Sequence, residues 1–416
     1  MPQLPDIGPS DPALRWIETS AHRRWLWHDA QRQIDFFRAS LRADGGFEVL
    51  SAEGSPLPGR LQELHTTTRL VHAFALAQIA GLDDCAPMIA AGLDWLWHRH
   101  RDRQHGGYVW SLRAGEPEDG SKLAYGHVFV LLAAASARLA GHAEADPLLA
   151  DIAEVIEQRF WDEDRGLLRE EYRQDWSPLS DYRGMNANMH GVEAMLAAHE
   201  ATGESHWLER AGLILDFFVG RMAPAQGWRI PEHYTADWQI DPDYRGNPMF
   251  RPPGTTPGHS FELARLQLQH WDLSGRADAA APERARQLIE AAHAAAWTAA
   301  GGYLYTLAPS GAPGLPNRYW WPVTEAIGAF AALIKLEGRA EDEARYRQLW
   351  QFADQHFIDH ARGGWFPELD ATGAPAATQF AGKPDLYHAL QAELFPLAPG
   401  LSRLNAGLRG LSRSLK

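Results

Sequence analysis

Gly106-Gly107-Tyr108 decides the fold of this chain, because it recurs. Its counterparts are Gly45-Gly46-Phe47, Gly166-Leu167, Gly227-Trp228, Gly301-Gly302-Tyr303 and Gly363-Gly364-Trp365. Successive copies fall about 60 residues apart, with one wider interval of about 75 before Gly302, a regularity that marks a repeat of one supersecondary unit.

Each copy lies between two helix-like runs. Those preceding it, at 24–41, 86–100, 147–161, 207–222, 282–297 and 341–357, are amphipathic. In the third, Leu148, Leu149, Ile152, Val155, Ile156 and Phe160 recur at helical spacing among Asp151, Glu154, Glu157 and Arg159. Those following it, at 66–81, 125–141, 186–203, 258–275, 320–338 and 385–400, carry few charges in their middles and close on a glycine that can serve as a left-handed C-terminal cap. The first set reads as outer helices and the second as inner helices. Six alternating pairs bury their apolar faces best by closing into a ring, because an open array leaves two ends uncovered. The expected fold is therefore all-α, an (α/α)6 barrel, with short β-hairpins in the connecting loops. Residues 1–416 are expected to form one domain, with the repeat running from about 24 to 400 and short terminal extensions. The loops entering all six inner helices then gather at one end, which is the candidate pocket.

Composition narrows the function. A formal charge of −14 with no basic stripe argues against nucleic acid. Neither a long apolar run nor a basic-then-apolar N-terminus is present, so neither a membrane partner nor a secretion signal is expected, and a cytoplasmic location is. The single cysteine, Cys85, cannot form an internal disulfide or a zinc-thiolate site. The 17 Trp and 11 Tyr supply rings for a sugar-binding surface, although most are expected in the core. Monomer and homodimer are both compatible with the sequence.

Polar residues stand near the start of every inner run: Arg69; Tyr125 and His127; Asn186, Asn188, His190 and Glu193; His259 and Glu262; Trp320, Trp321 and Glu325; Tyr387 and His388. Two pairs, His190 with Glu193 and His259 with Glu262, are three residues apart, which places each carboxylate on the face of its imidazole. A carboxylate there fixes the tautomer and raises the basicity of a general base. The same spacing recurs in di-iron bundles, but the additional carboxylates of such a site are not evident.

Taken in order, Thr67-Thr68-Arg69, Asn186-Ala187-Asn188-Met189-His190-Gly191-Val192-Glu193, Gly258-His259-Ser260-Phe261-Glu262, Trp320-Trp321 with Glu325, and Lys383-Pro384-Asp385-Leu386-Tyr387-His388 carry a resemblance over nearly the whole chain. The sequence resembles the N-acylglucosamine 2-epimerase superfamily, and within it the aldose–ketose isomerase branch. The resemblance implies His259 and His388 as the catalytic acid/base pair. It implies Arg69, Asn186, His190 and Glu262 as substrate contacts, with Trp321 and Glu325 beside them. The expected activity is interconversion of D-mannose and D-fructose through a cis-enediol. The partner is a small-molecule monosaccharide, and no metal or other cofactor is expected. On that chemistry His388 moves the proton between C2 and C1, while His259, supported by Glu262, opens the ring; Arg69 faces the developing negative charge. After His388 comes Ala389-Leu390-Gln391-Ala392-Glu393, without the arginine of renin-binding-type epimerases, which favours a small unmodified hexose. The alternatives are a sulfonated sugar held by Arg245, Arg251 and Gln379, a 2-epimerase, or a glycoside hydrolase using Glu262 and Glu325.

Overall fold

In a computed structural model, residues 4, 15–59, 61–247 and 249–415 are described. The amphipathic runs form the outer helices α1 (Ser20–Phe37), α3 (Ala86–Trp95), α5 (Ala145–Val155), α7 (Ser205–Leu215), α9 (Ala281–Ala296) and α11 (Ala340–His356). Three of them, α3, α5 and α7, run on into π-helical turns at Leu96–His100, Ile156–Phe160 and Asp216–Met222. The apolar runs form the inner helices α2 (Leu64–Ala80), α4 (Ala124–Leu139), α6 (Met185–Thr202), α8 (Pro257–Leu273), α10 (Trp320–Leu336) and α12 (Tyr387–Leu397). The sorting follows composition: every residue from Trp320 to Ile334 of α10 is buried, whereas α11 keeps a polar face in water. Each inner helix packs on the next, and α12 packs on both α10 and α2, so the ring closes.

The closing glycines act as expected in five repeats. Gly81 and Gly203 cap α2 and α6 at φ 92° and 78°. Gly141, Gly275 and Gly338 take positive φ one residue beyond the cap. Gly400 does not: α12 stops at Leu397, where Pro396 has no N–H to donate and Ala398 is extended.

The glycine-aromatic turns are narrow antiparallel links, bridging Leu41 to Phe47, Arg101 to Tyr108, Trp161 to Leu168, Trp297 to Tyr303 and Ile358 to Trp365. The fourth copy follows a short helix, Ala223–Ala225, and has no such bridge among the described residues. A second hairpin recurs just after each turn and was not read from the sequence. It links Leu50 to Pro56, Tyr172 to Pro178, Tyr234 to Ile240, Leu307 to Pro313 and Leu369 to Pro375.

The residues leading into each inner helix pair with this second hairpin of the next repeat. The partners are Gln62 and Leu112, Lys122 and Tyr172, Arg183 and Tyr234, Thr255 and Leu307, and Arg318 and Leu369. Lys383 then returns to Leu50 of the first repeat, which completes the circle at the pocket end. No helix among the described residues is long and apolar enough to cross a membrane.

Candidate active site

The second and sixth residues of an inner helix share one face, and the ring turns that face toward its axis. His65, Tyr125, Asn186, Trp321 and His388 hold the second position, and Arg69, His190, Glu262 and Glu325 the sixth. Together with His259, the third residue of α8, most of these line a cleft of about 530 Å³, a size suited to a small ligand. Of the eight residues named from the sequence, Arg69, Asn186, His190, His259, Glu262, Trp321 and His388 lie on its wall. Glu325 does not line it.

Glu325 stands behind His388 instead. One oxygen is 2.8 Å from His388 Nδ1, and the other accepts from Arg265 Nη2 at 3.1 Å. Burial alone would raise this carboxyl, but Arg265 and the His388 hydrogen bond outweigh it and hold it below the usual range. Glu325 thus sits behind His388 and not on the cleft wall.

His259 has an equivalent support, but not the expected one. Its Nδ1 lies 3.0 and 3.1 Å from the two oxygens of Glu232, and the backbone N–H of Thr256 donates to the same carboxylate at 3.1 Å. Glu262, although three residues along the helix, faces His190 at 3.4 Å. On both imidazoles Nδ1 is engaged, and Nε2 has no hydrogen bond among the described residues. Between them lies Trp321, its ring centroid 5.1 Å from that of His259 and 5.8 Å from that of His388. Gly258 makes room for that indole, since a Cβ there would come within 2.2 Å of the ring.

Below this layer is a cluster of three acids. Glu262 is fully buried with neither oxygen hydrogen-bonded among the described residues, and burial, then Glu325 and Glu193, push its carboxyl well above the ordinary value. Glu193 accepts from the Tyr387 hydroxyl; burial opposes its charge, but His190, His72 and Arg265 prevail and lower it to about 2. Burial pushes His190 down to about 4, so it is a neutral imidazole at pH 7. Ligand atoms of His190, Glu193 and Glu262 lie within 4.8 Å of one another, which makes them the residues able to hold a divalent ion here.

Arg69 is fixed by Asp385 and the Tyr125 hydroxyl, each 2.9 Å from one Nη, with the Phe129 and Tyr387 rings 4.6 and 4.8 Å from its guanidinium carbon. Asp385 also accepts the Tyr387 N–H at the start of α12. It therefore joins the last repeat to the first.

Two polar residues expected in the pocket face away from it. His127 Nε2 accepts the Tyr108 N–H at 3.0 Å, so Nδ1 carries the proton given to the Leu123 carbonyl at 2.7 Å. Asn188 does the same for the next turn, accepting from Leu168 N–H at 2.8 Å and donating to the Gly184 carbonyl at 2.9 Å. Both hold the glycine turns.

Sequence reading missed Glu232. Its signal was the repeat itself: Glu170 and Glu368 occupy the matching place a few residues past the glycine, and all three are buried. The cations suggested for a sulfonated sugar are elsewhere. Arg245 is exposed and donates to the Tyr244 carbonyl, while Arg251 is held by Glu171 at 2.6 Å and Glu170 at 3.5 Å; Gln379 does line the cleft.

A barrel whose cleft holds two carboxylate-backed histidines invites comparison with known sugar enzymes. The sequence profile of N-acylglucosamine 2-epimerase (GlcNAc 2-epimerase) matches residues 45–392. The chain belongs to this family. It is 43% identical to the D-mannose isomerase of Thermobifida fusca, covering 93% of this chain and 98% of that one. The D-mannose isomerase of Pseudomonas cannabina pv. alisalensis is 40% identical, covering 94% and 97%. A crystal structure of D-mannose isomerase superposes with a TM-score of 0.85 at 33% identity, over 90% of this chain and 97% of that one. Membership makes the protein an enzyme of the sugar isomerase and epimerase kind, and the (α/α)6 barrel is the fold of these neighbours.

Proposed function

We propose that the protein interconverts D-mannose and D-fructose through a cis-enediol. The observation that carries this reading is the pair His259 and His388. They share one cleft across Trp321, and each has its Nδ1 on a buried carboxylate and its Nε2 free. After ring opening, His388 takes the C2 proton of the aldose as O1 gains a proton, giving the enediol. The proton then returns to C1 as O2 loses its own. One base on one face suffices, and His259, backed by Glu232, carries the hydroxyl protons and opens the ring. Arg69, with both Nη atoms engaged, acts on the enediolate as a fixed positive charge in the wall. Asn186, whose side-chain oxygen has no described partner, is free to receive a sugar hydroxyl. The substrate on this reading is a free monosaccharide and the setting is the cytoplasm. A hydrolase using Glu262 and Glu325 would need both carboxylates facing one bond, and Glu325 is behind His388.

Product analysis after incubation with D-mannose, D-glucose and D-fructose tests the reading. Mannose and fructose should interconvert without added cofactor, and chelator should leave the rate unchanged. Glucose formed from mannose without a ketose would make the enzyme an epimerase, and rescue of a chelated enzyme by a divalent ion would assign the acid cluster to a metal. In deuterated water His388→Ala should lose exchange at C2 while helical circular dichroism is unchanged; near-normal turnover would remove His388 from the role.

A further inference from the structure

Glu63 lines the cleft and has no structural duty that accounts for it. It ends the short strand Gln62–Glu63, pairs through its backbone with Ser111 of the next repeat, and immediately precedes α2. A short polar side chain in that place can cap the helix. The Glu63 side chain makes no capping hydrogen bond, and no hydrogen bond or ion pair of it is found among the described residues. Of the other acids around the cleft, Asp385 is committed to Arg69, Glu232 to His259, and Glu325 to His388 and Arg265, while Glu262 is fully buried beside His190 and pushed toward its neutral form. Burial raises the Glu63 carboxyl and the nearby Arg69 opposes that rise, so its charge is felt at the same wall as the arginine.

The balance of charge there is one-sided. Glu63 and Asp385 face a single Arg or Lys among the described lining residues, Arg69, whose two Nη atoms are taken by Asp385 and Tyr125 and whose unpartnered Nε is buried. A sugar hydroxyl can donate to a free carboxylate. A phosphate or sulfonate cannot, and it would meet the like charge of Glu63 in a partly desolvated cleft whose arginine is already paired with Asp385.

We infer that Glu63 is a specificity-determining residue that accepts a hydroxyl of an uncharged sugar and turns away sugars bearing an anionic group. The inference rests on reading the cleft as a sugar site. It reaches further in assigning the discrimination to one side chain that neither the histidine pair nor the acid cluster employs.

Calorimetric binding of D-mannose, D-mannose 6-phosphate and 6-amino-6-deoxy-D-mannose, to the wild type and to Glu63→Gln and Glu63→Ala, tests it. The wild type should bind the phosphate at least about 10-fold more weakly than mannose, and the amine at least as well as mannose. Either variant that keeps the wild-type helical signal should narrow the phosphate-to-mannose gap about 10-fold and weaken the amine. An unchanged gap in a folded variant, or equal binding of phosphate and mannose by the wild type, overturns the inference. Mannose turnover is measured separately on the wild type. Charge preference without turnover would sink the isomerase reading and leave Glu63 in place, whereas turnover without charge preference would do the reverse.

Discussion

At the scale of single residues the site is a set of imidazoles, each defined by the carboxylate behind it. Glu232 and Glu325 perform the same task for His259 and His388 but differ in what else they hold. Among the described residues Glu232 otherwise accepts only the Thr256 N–H, whereas Glu325 also pairs with the buried Arg265. Removing either charge should misorient its histidine, an effect worth about 10- to 100-fold in turnover for such supporting groups. We expect Glu232→Gln to lower kcat in that range and leave KM and Tm close to wild type. Glu325→Gln should do the same and also lower Tm, because Arg265 loses its charge partner. An unchanged kcat in both would reduce the carboxylates to packing. The sequence made the histidines legible because their depth in the inner helices repeats. The partner given to His259 was wrong because spacing along one helix says nothing of a loop that folds over its start, and it is such a loop that brings Glu232 to His259; His388 was given none.

At the scale of elements, each repeat is an outer helix, a glycine turn, a second hairpin and an inner helix. The helices were legible because burial imposes a period on them. The second hairpin was not, since its turn residues vary from Gly54 through Trp176 and Trp238 to Gly373 and only the positive φ is shared. The fourth residue of an inner helix faces outward and ties down the turn behind it, as His127 and Asn188 show. These two solve one problem with different chemistry. Burial lowers His127 to about 3, while in the unfolded chain it titrates near 6.5. Below pH 6.5 the unfolded chain therefore binds a proton that the folded chain refuses, so this residue costs stability as pH falls toward 3. The cost is about 2 kcal/mol at pH 5. His127→Asn, which copies Asn188, should be somewhat less stable than wild type at pH 7. It should lose less on going to pH 5, so the difference in Tm narrows or reverses. A constant difference across that range would show that the His127 proton has no part in acid sensitivity.

At the scale of the whole molecule, the ring makes every junction between repeats equivalent, including the one that joins the last to the first. Lys122 and Lys383 occupy matching places before α4 and before the loop into α12. Each is buried, with Asp102 at 2.9 Å from the first and Asp359 at 2.7 Å from the second. Lys383 belongs to the closing junction, where its backbone also donates to the Leu50 carbonyl at 2.8 Å. Lys122 belongs to an internal one. Replacing either by methionine keeps the volume of the stem but leaves an aspartate buried without its cation, a change that costs about 3 kcal/mol or more. In an open array the terminal junction is the first to fray and contributes little to global stability, so only the internal substitution would be felt. In a closed ring both should cost alike. We expect Lys122→Met and Lys383→Met to lower the free energy of unfolding by similar amounts, read from denaturant midpoints at unchanged slope. Because Asp385 and Arg69 meet at the closing junction, the Lys383 variant should also lose more mannose turnover than the Lys122 variant at a temperature where both are folded. A Lys383 variant as stable and active as wild type would mean that the circle is closed in contact but not in energy.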